Sequence, residues 1–221
     1  MRTEFHAELD RLTAELGEMC ATAAILIDCV TVALVHADLP SAERVVAELA
    51  HLDMLDARAR DRAFSLLALQ APVARDLRTV VSAIQIAADA DRMGGLSANI
   101  AKIARRHHPE SAVPDPAGEY FVQMGRIATE LADGVQLAVM TGDVDRARLI
   151  LNGDDAMDDL HRRLFGLLTD RRWPHGTAAA ADVVLLGRFY ERFADHAVEI
   201  ARRVIFQTTG AFPSDDLYTS R

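Results

Sequence analysis

One helical pattern occurs twice in the sequence, one hundred residues apart (191 − 91). Residues Asp91–Ala101 and Glu191–Ala201 both begin with an acidic residue followed by arginine, and both end in Ile-Ala. Asp56 and Asp158 correspond in the same way, at a separation of 102 positions (158 − 56). A chain that repeats whole helical hairpins is constrained to form two similar units. We therefore predict a two-fold duplication of a three-helix bundle.

The apolar residues are spaced for α-helices. Half of the residues (50%) are hydrophobic, enough for a packed core, while aromatic residues make up only 5%. In the first predicted helix the apolar positions alternate spacings of four and three, as in helices that pack against antiparallel neighbours. This row consists of Phe5, Leu9, Leu12, Leu16, Met19, Ala23, Leu26 and Val30. The pattern predicts an all-α fold.

Turns that contain proline or glycine divide the chain into six long antiparallel helices. We expect these helices over residues 3–37, 40–69, 72–106, 119–140, 144–171 and 178–208. Pro109, Pro114, Pro116 and Gly118 mark the strongest boundary between the two repeats. The predicted domains are an N-terminal bundle over 1–108, a linker over 109–118, a C-terminal bundle over 119–209 and a tail over 210–221.

The two cysteines and the missing signal peptide predict a protein of the reduced cytoplasm. The net charge of −9 argues against nucleic acid as a partner, because phosphate contacts need a basic surface. Cys20 and Cys29 are roughly 13 Å apart along one helix and cannot form a disulfide with each other. The sequence shows no signal peptide. The apolar run over 21–35 is shorter than a membrane span and contains Asp28, so we expect no direct membrane insertion.

The later half of the first helix carries a second apolar row, formed by Ile25, Val32 and Val35. A helix with two apolar rows contacts more than one neighbour. We predict that this surface supports a homodimer or binds a partner protein.

Carboxylates interrupt the apolar rows of the second repeat. Glu191 and Asp195 are four residues apart and share one helical face. Asp154, Asp158 and His161 share a face of the fifth predicted helix, and we expect both faces to point inward. Buried carboxylates need cations, solvent or protons. Oxygen ligands with one imidazole suit Mg, Mn, Fe or Zn, so these residues are candidate metal ligands.

Two alternatives to this metal site come from the same residues. The carboxylates could instead form ion pairs with Arg162, Arg163, Arg188 and Arg192. In the first repeat, Asp91 is also a candidate ligand and Asp56 lies on the neighbouring helix. There Gly95 stands where the second repeat has Asp195, so a complete second metal site is not expected.

The sequence predicts no catalytic residue. Carboxylate-bridged di-metal oxidases need Glu-x-x-His on each of two helices, and the nearest match here is Asp158-x-x-His161. Neither cysteine has an activating neighbourhood, and there is no glycine-rich phosphate-binding loop. The basic run Arg105–His108 favours a solvated helix end over an anion site.

These residues resemble the PhoU family, and more narrowly its actinobacterial PhoY-type branch. The similarity rests on the duplicated three-helix unit, on Gln70–Arg78 entering the third helix, and on the acid-Arg pattern late in each repeat. It covers nearly the whole chain, and Glu191–Ala201 is its most specific part. The family's E/D-x-x-x-D metal motif matches Glu191 and Asp195. For cofactors, the resemblance implies multinuclear iron or zinc sites and the binding of Mg or Mn.

The resemblance also implies a function. PhoU proteins are cytoplasmic regulators, so we expect a non-enzymatic negative regulator of the phosphate-starvation response. Its expected partners are the ATPase subunit of the phosphate-specific ABC transporter and a sensor histidine kinase. These partners would place it at the inner face of the membrane. Two alternatives remain: a metal-dependent enzyme on a carboxylate-lined bundle, and a purely structural helical dimer.

Overall fold

A computed structural model describes residues 2–151, 153–171 and 173–213, with the side chains of all of these except Arg2 and Asp154. The described residues form α-helices and turns and contain no β-strand. The helices are α1 (Arg2–His36), α2 (Leu39–Gln70), α3 (Ala74–His107), α4 (Asp115–Thr141), α5 (Val144–Leu151), α6 (Asp154–Thr169) and α7 (Gly176–Thr209). The predicted all-α fold is confirmed.

Four helices form the centre of the molecule. Helix α1 packs along α4, and α3 packs along α7, so each of these contacts joins one repeat to the other. Helix α2 lies against α1 and α3, while α5 and α6 lie against α4 and α7. The buried apolar residues of both repeats form one continuous cluster. The division into two domains therefore remains a prediction based on the repeat.

The apolar row predicted for the first helix is the one that the fold buries. Leu12, Leu16, Met19 and Leu26 are all buried in α1, and of the predicted row only Leu9 is partly exposed. The spacing of four and three thus identified the residues that α1 presents to α2, α3 and α4. Helix propensity alone would not hold this helix, because most helical stability in proteins comes from such packing.

Two glycines let helices approach closely. A Cβ at Gly125 would lie 2.5 Å from Thr31 Cγ2, so α4 crosses α1 at a distance that only glycine permits. Gly94 has the same role between α3 and Leu52 of α2. The adjacent Gly95 faces open space.

The predicted boundaries of two helices were wrong at their N-terminal ends. Helix α4 begins at Asp115, not at residue 119, because Pro116 lies in its first turn, where a missing N–H costs nothing. The connection between the repeats is therefore 108–114. Pro72, expected in the first turn of the third helix, lies before Val73, which is the N-cap of α3.

The predicted fifth helix is interrupted. The Gly153 N–H donates to the Ile150 carbonyl, three residues back instead of four, which ends the α-helical ladder of α5. Beyond this break the buried face of α6 is formed by Met157, Leu160 and Leu164. The prediction that Asp158 faces inward is therefore wrong: the break changes the helical phase, and Asp158 is exposed.

Candidate functional site

The carboxylates of α7 lie at the edge of its buried face. Tyr190, Phe193 and Ala194 are fully buried, while Glu191 and Asp195 are partly buried beside them. The Glu191 side chain is only 14% exposed and accepts a charge-assisted hydrogen bond from Arg188, one turn earlier. The separation of four residues therefore places Glu191 and Asp195 on one face of α7, as predicted, but both lie at the edge of the buried face.

Asp195 is an acid in an unfavourable environment. Burial raises the pKa of the Asp195 carboxyl above its ordinary value, and the nearby Asp158 raises it further. Arg188, His196 and Arg192 act in the opposite direction and do not cancel the effect of burial. The folded protein therefore holds a proton on Asp195 more tightly than a solvated aspartate would.

The candidates on α6 lie at different depths. Asp158 is exposed but close enough to Asp195 to act on its charge. His161 is half-buried against α7, where a Cβ on Gly187 would lie 3.6 Å from its Nε2. The side chain of Asp154 falls outside the described ones.

The first repeat contains a similar carboxylate pair. Burial raises the pKa of Asp91 on α3, and Asp56 on α2 is the next largest cause. Arg60 donates to Asp56 at 2.8 Å and partly offsets this repulsion. Each repeat therefore brings one acid of its third helix next to one acid of the flanking helix, with an arginine beside them.

The described side chains do not include a ready set of metal ligands. Among the side chains that the structure describes, no three carboxylate, imidazole or thiol groups lie close enough to hold one ion. Glu191 and Asp56 are instead engaged by Arg188 and Arg60. This arrangement corresponds to the ion-pair alternative, and metal binding stays a prediction.

Sequence reasoning missed the polar contacts between the repeats. His196 Nδ1 lies 3.0 Å from Asp89 Oδ1, which joins α7 to α3. Asp182 on α7 contacts both Arg106, at 2.6 Å, and His107, at 3.0 Å, at the end of α3. These contacts join different helices, so spacing along one helix gives no signal for them.

A second polar contact network lies within the first repeat. Glu15 of α1 is buried and accepts hydrogen bonds from Arg58 and Arg62 of α2, each at 3.0 Å. Arg62 also contacts Glu8. An open cavity of about 410 Å³ lies over this network, with Phe5 and Leu66 in its wall. The buried acid is satisfied by two guanidinium groups, which indicates a structural role.

Helix α1 is long and apolar enough to span a membrane by length and composition alone. Its apolar row, however, is packed against α2, α3 and α4, as in the core helix of a soluble bundle. The expectation of a buried helix is therefore consistent with its contacts.

Comparisons with known proteins agree with this architecture. The PhoU domain profile matches the chain twice, over residues 16–104 and 121–204. The phosphate-specific transport system accessory protein PhoU homolog 2 of Mycobacterium tuberculosis is 58% identical over 213 residues, which is 96% of this chain and 100% of that protein. PhoU homolog 1 of Mycobacterium leprae is 55% identical over 98% of this chain and 97% of its own length.

Solved structures show the same fold. The crystal structure of PhoU from Pseudomonas aeruginosa superposes with a TM-score of 0.87 at 22% identity, covering 94% of this chain and all (100%) of that one. PhoU from Streptococcus pneumoniae gives a TM-score of 0.83, also at 22% identity, over 95% of this chain and 99% of that one. With a duplicated helical unit, two profile matches and relatives similar over their whole length, the chain belongs to the PhoU family.

Proposed function

We propose that this protein is an accessory protein of a phosphate-specific transport system and a negative regulator of the phosphate-starvation response. The observation that carries the proposal is the 58% identity to a named accessory protein of such a system, over the full length of that relative. Identity at this level extends across both repeats and the connection between them. The proposal assigns a regulatory role and no catalysis.

The proposed mechanism is adaptor binding. The protein would contact the ATPase subunit of the phosphate transporter and a sensor histidine kinase, and would hold the kinase in its repressing state when phosphate is ample. A rigid bundle suits this role, because long helices with solvated faces offer several separate binding surfaces. Through these partners the protein would lie at the inner face of the membrane.

The shared core of the repeats supports such a role physically. Contacts from α1 to α4 and from α3 to α7 hold the two repeats in one arrangement. Surfaces on the two repeats therefore keep a fixed relation, and a partner bound on one repeat is positioned relative to a partner on the other. Pre-organised surfaces lose less entropy on binding.

Two measurements test the proposal. Transcript levels of phosphate-starvation genes should rise at high phosphate in a strain that lacks this protein, and the intact gene should restore repression. The purified full chain should capture the transporter ATPase subunit and the kinase cytoplasmic region separately. Unchanged transcript levels would contradict the regulatory role, whereas normal repression without either contact would contradict the adaptor mechanism.

Self-association stays a prediction from the sequence and is separate from the proposed adaptor role. The extra apolar row of α1 predicted either a homodimer or a surface for a partner protein, and in the structure Ile25 and Val32 of that row are exposed. Light scattering of the full chain over a range of concentrations measures this directly. A constant monomer mass would remove the homodimer and leave the adaptor role intact.

A further inference from the structure

We propose that the groove between α1 and α4 binds a basic amphipathic helix of another protein. The apolar side of that helix would rest on the exposed valines of the groove, and its lysine or arginine residues would pair with Asp28 and Asp133. This inference goes beyond the proposed function, because it assigns the chemistry of a partner to one surface and does not depend on phosphate regulation.

The groove results from the close crossing of two helices. Gly125 of α4 lies against Thr31 of α1, and Thr31 is fixed by hydrogen bonds to the Ile27 carbonyl at 2.7 Å and to the Tyr190 hydroxyl at 2.8 Å. The residues on either side of this crossing stand above it and enclose a groove of about 320 Å³. The floor is held by packing and hydrogen bonds, so the groove is present without a partner.

Apolar side chains line both walls of this groove. Val32 of α1 is 38% exposed and Val122 of α4 is 50% exposed, and both line the cavity. The two helices are antiparallel, since Gly17 meets Met140 at one end and Thr31 meets Gly125 at the other. Exposed Ile25 and Leu137 extend the same strip between these crossings.

The length of the strip fits a helix. Residues 17–35 of α1 rise about 27 Å along their axis. A partner helix of five turns has the same length. Ridges of side chains on such a helix pack into the groove between two helices in the manner of helix–helix contacts in bundles.

The charges of the groove select a basic partner. Burial raises the pKa of the Asp133 carboxyl above its ordinary value, and the nearby Asp28 raises it further. Within the described part of the chain, neither of these acids forms an ion pair. Glu130 at the rim is already paired with Arg126, at 3.0 Å. Arg126 and His36 also line the groove, but neither forms an ion pair with these two acids among the described residues, and a lysine or arginine of a bound helix would supply one.

The same charges disfavour a second copy of this chain. A symmetric dimer through this face would bring each copy's Asp28 and Asp133 towards those of the other copy. Four like charges would meet in a partly desolvated contact, which costs free energy. A basic helix has the opposite effect, since its charges relieve the repulsion that the acids already have.

Peptide binding to the full chain tests the inference. The probe is a fluorescein-labelled five-turn helical peptide of leucine and lysine, with leucine on one side; the control peptide carries glutamate in place of lysine. We expect the lysine peptide to bind with saturation and the glutamate peptide not to bind. Because the overall charge is −9, the comparison needs variants that separate the groove from the rest of the surface.

Val32→Lys should weaken binding of the lysine peptide about tenfold, because it places a like charge in the groove. Val122→Lys is a second test on the opposite wall. Val46→Lys is the matched control, because Val46 is also exposed but lies on α2. The pair Asp28→Asn and Asp133→Asn should weaken binding more than Asp53→Asn with Asp61→Asn, which removes the same charge from α2.

Three outcomes would overturn the proposal. Equal weakening by Val32→Lys and Val46→Lys would show diffuse electrostatic attraction. Equal binding of the glutamate peptide would remove the charge argument. Sedimentation that shows a dimer which Val32→Lys dissociates would assign the groove to a second copy. Circular dichroism and thermal melting establish that each variant folds, and the exposed positions favour this.

Discussion

Asp89 Oδ1 on α3 and His196 Nδ1 on α7 lie 3.0 Å apart, with about four-fifths of each side chain buried (20% and 19% exposed). The two residues belong to different repeats, so this contact ties the repeats together through polar groups. His196→Ala should reduce the free energy of unfolding by about 1–3 kcal/mol, because it leaves Asp89 partly buried without its partner. Urea denaturation measures the change.

The control for this change is Arg126→Ala, which breaks an exposed ion pair with Glu130 within α4. Its expected cost is below about 1 kcal/mol, since exposed ion pairs contribute little. Equal losses for both variants would contradict the inter-repeat role of Asp89 and His196.

Leu16→Ala should destabilise the protein by about 2–5 kcal/mol, since it leaves a cavity in a packed core. Leu16 is 3% exposed and belongs to the apolar row of α1. Leu149→Ala on α5 is the matched control, because the Leu149 side chain is largely exposed. The urea concentration at the unfolding midpoint should fall for Leu16→Ala and should change little for Leu149→Ala. An unchanged midpoint for Leu16→Ala would mean that α1 does not pack as the structure shows.

Asp195→Asn should raise stability at pH 7, with a gain that shrinks as the pH falls. Burial raises the pKa of Asp195 in the folded protein, so its charged form is disfavoured there. The penalty is present above the raised pKa and disappears as the pH falls through it towards the ordinary value of 3.8. Unfolding free energies from pH 4 to pH 8 measure the difference. Asp10→Asn, at an exposed position, is the control for the loss of one negative charge.

The predicted metal site has a direct test in thermal melting. If an ion binds only the folded protein, adding Mg, Mn, Zn or ferrous iron to dialysed protein raises the melting temperature. Glu191→Ala with Asp195→Ala should abolish that rise, whereas Asp91→Ala should change it little.

The ion-pair arrangement makes the opposite prediction for the same protein. No cation would then raise the melting temperature, and Arg188→Ala would lower stability by about 0.5–1 kcal/mol, because Glu191 would lose its partner. Arg188 is about half exposed, which keeps this loss small. If a metal ion still raises the melting temperature of the Glu191→Ala, Asp195→Ala double variant, both arrangements are contradicted.

The two cysteines should be unreactive in the folded protein. Burial, with a smaller effect of Asp89, raises the pKa of the Cys20 thiol to about 12, so the thiolate is scarce at pH 8. Burial also raises the pKa of Cys29. A thiol-reactive dye should label neither residue before denaturant is added, and both afterwards. Rapid labelling of Cys20 in native protein would show that α1 opens locally.

The spacing of apolar residues predicted most helices correctly, because these residues pack against neighbouring helices. It failed where contacts between helices determine the local structure. The row of Leu12, Leu16 and Met19 could be read directly from the sequence, since each residue faces a neighbouring helix. The break at Gly153 could not, because one glycine in a long apolar pattern is also tolerated inside helices. That break turned Asp158 outward, which is why this residue does not face inward as predicted.

The carboxylate pairs were partly predictable for the same reason. Spacing on one helix placed Glu191 beside Asp195, and the repeat placed Asp56 near Asp91. Which arginine neutralises which acid depends on side-chain conformations, so the contact of Arg188 with Glu191 could only be considered among several. The pairing of Asp89 with His196 depends on how α3 and α7 align, which the helical period does not encode.

The continuous core has a consequence for how such a molecule could arise. A single three-helix unit would leave the apolar surfaces of its first and third helices uncovered, and would therefore associate with a second unit. The short connection over 108–114 makes that association intramolecular, so it no longer depends on the concentration of the subunits. Covalent linkage also allows the two units to diverge. One unit here has Asp195 where the other has Gly95, a difference that two copies encoded by one gene could not have.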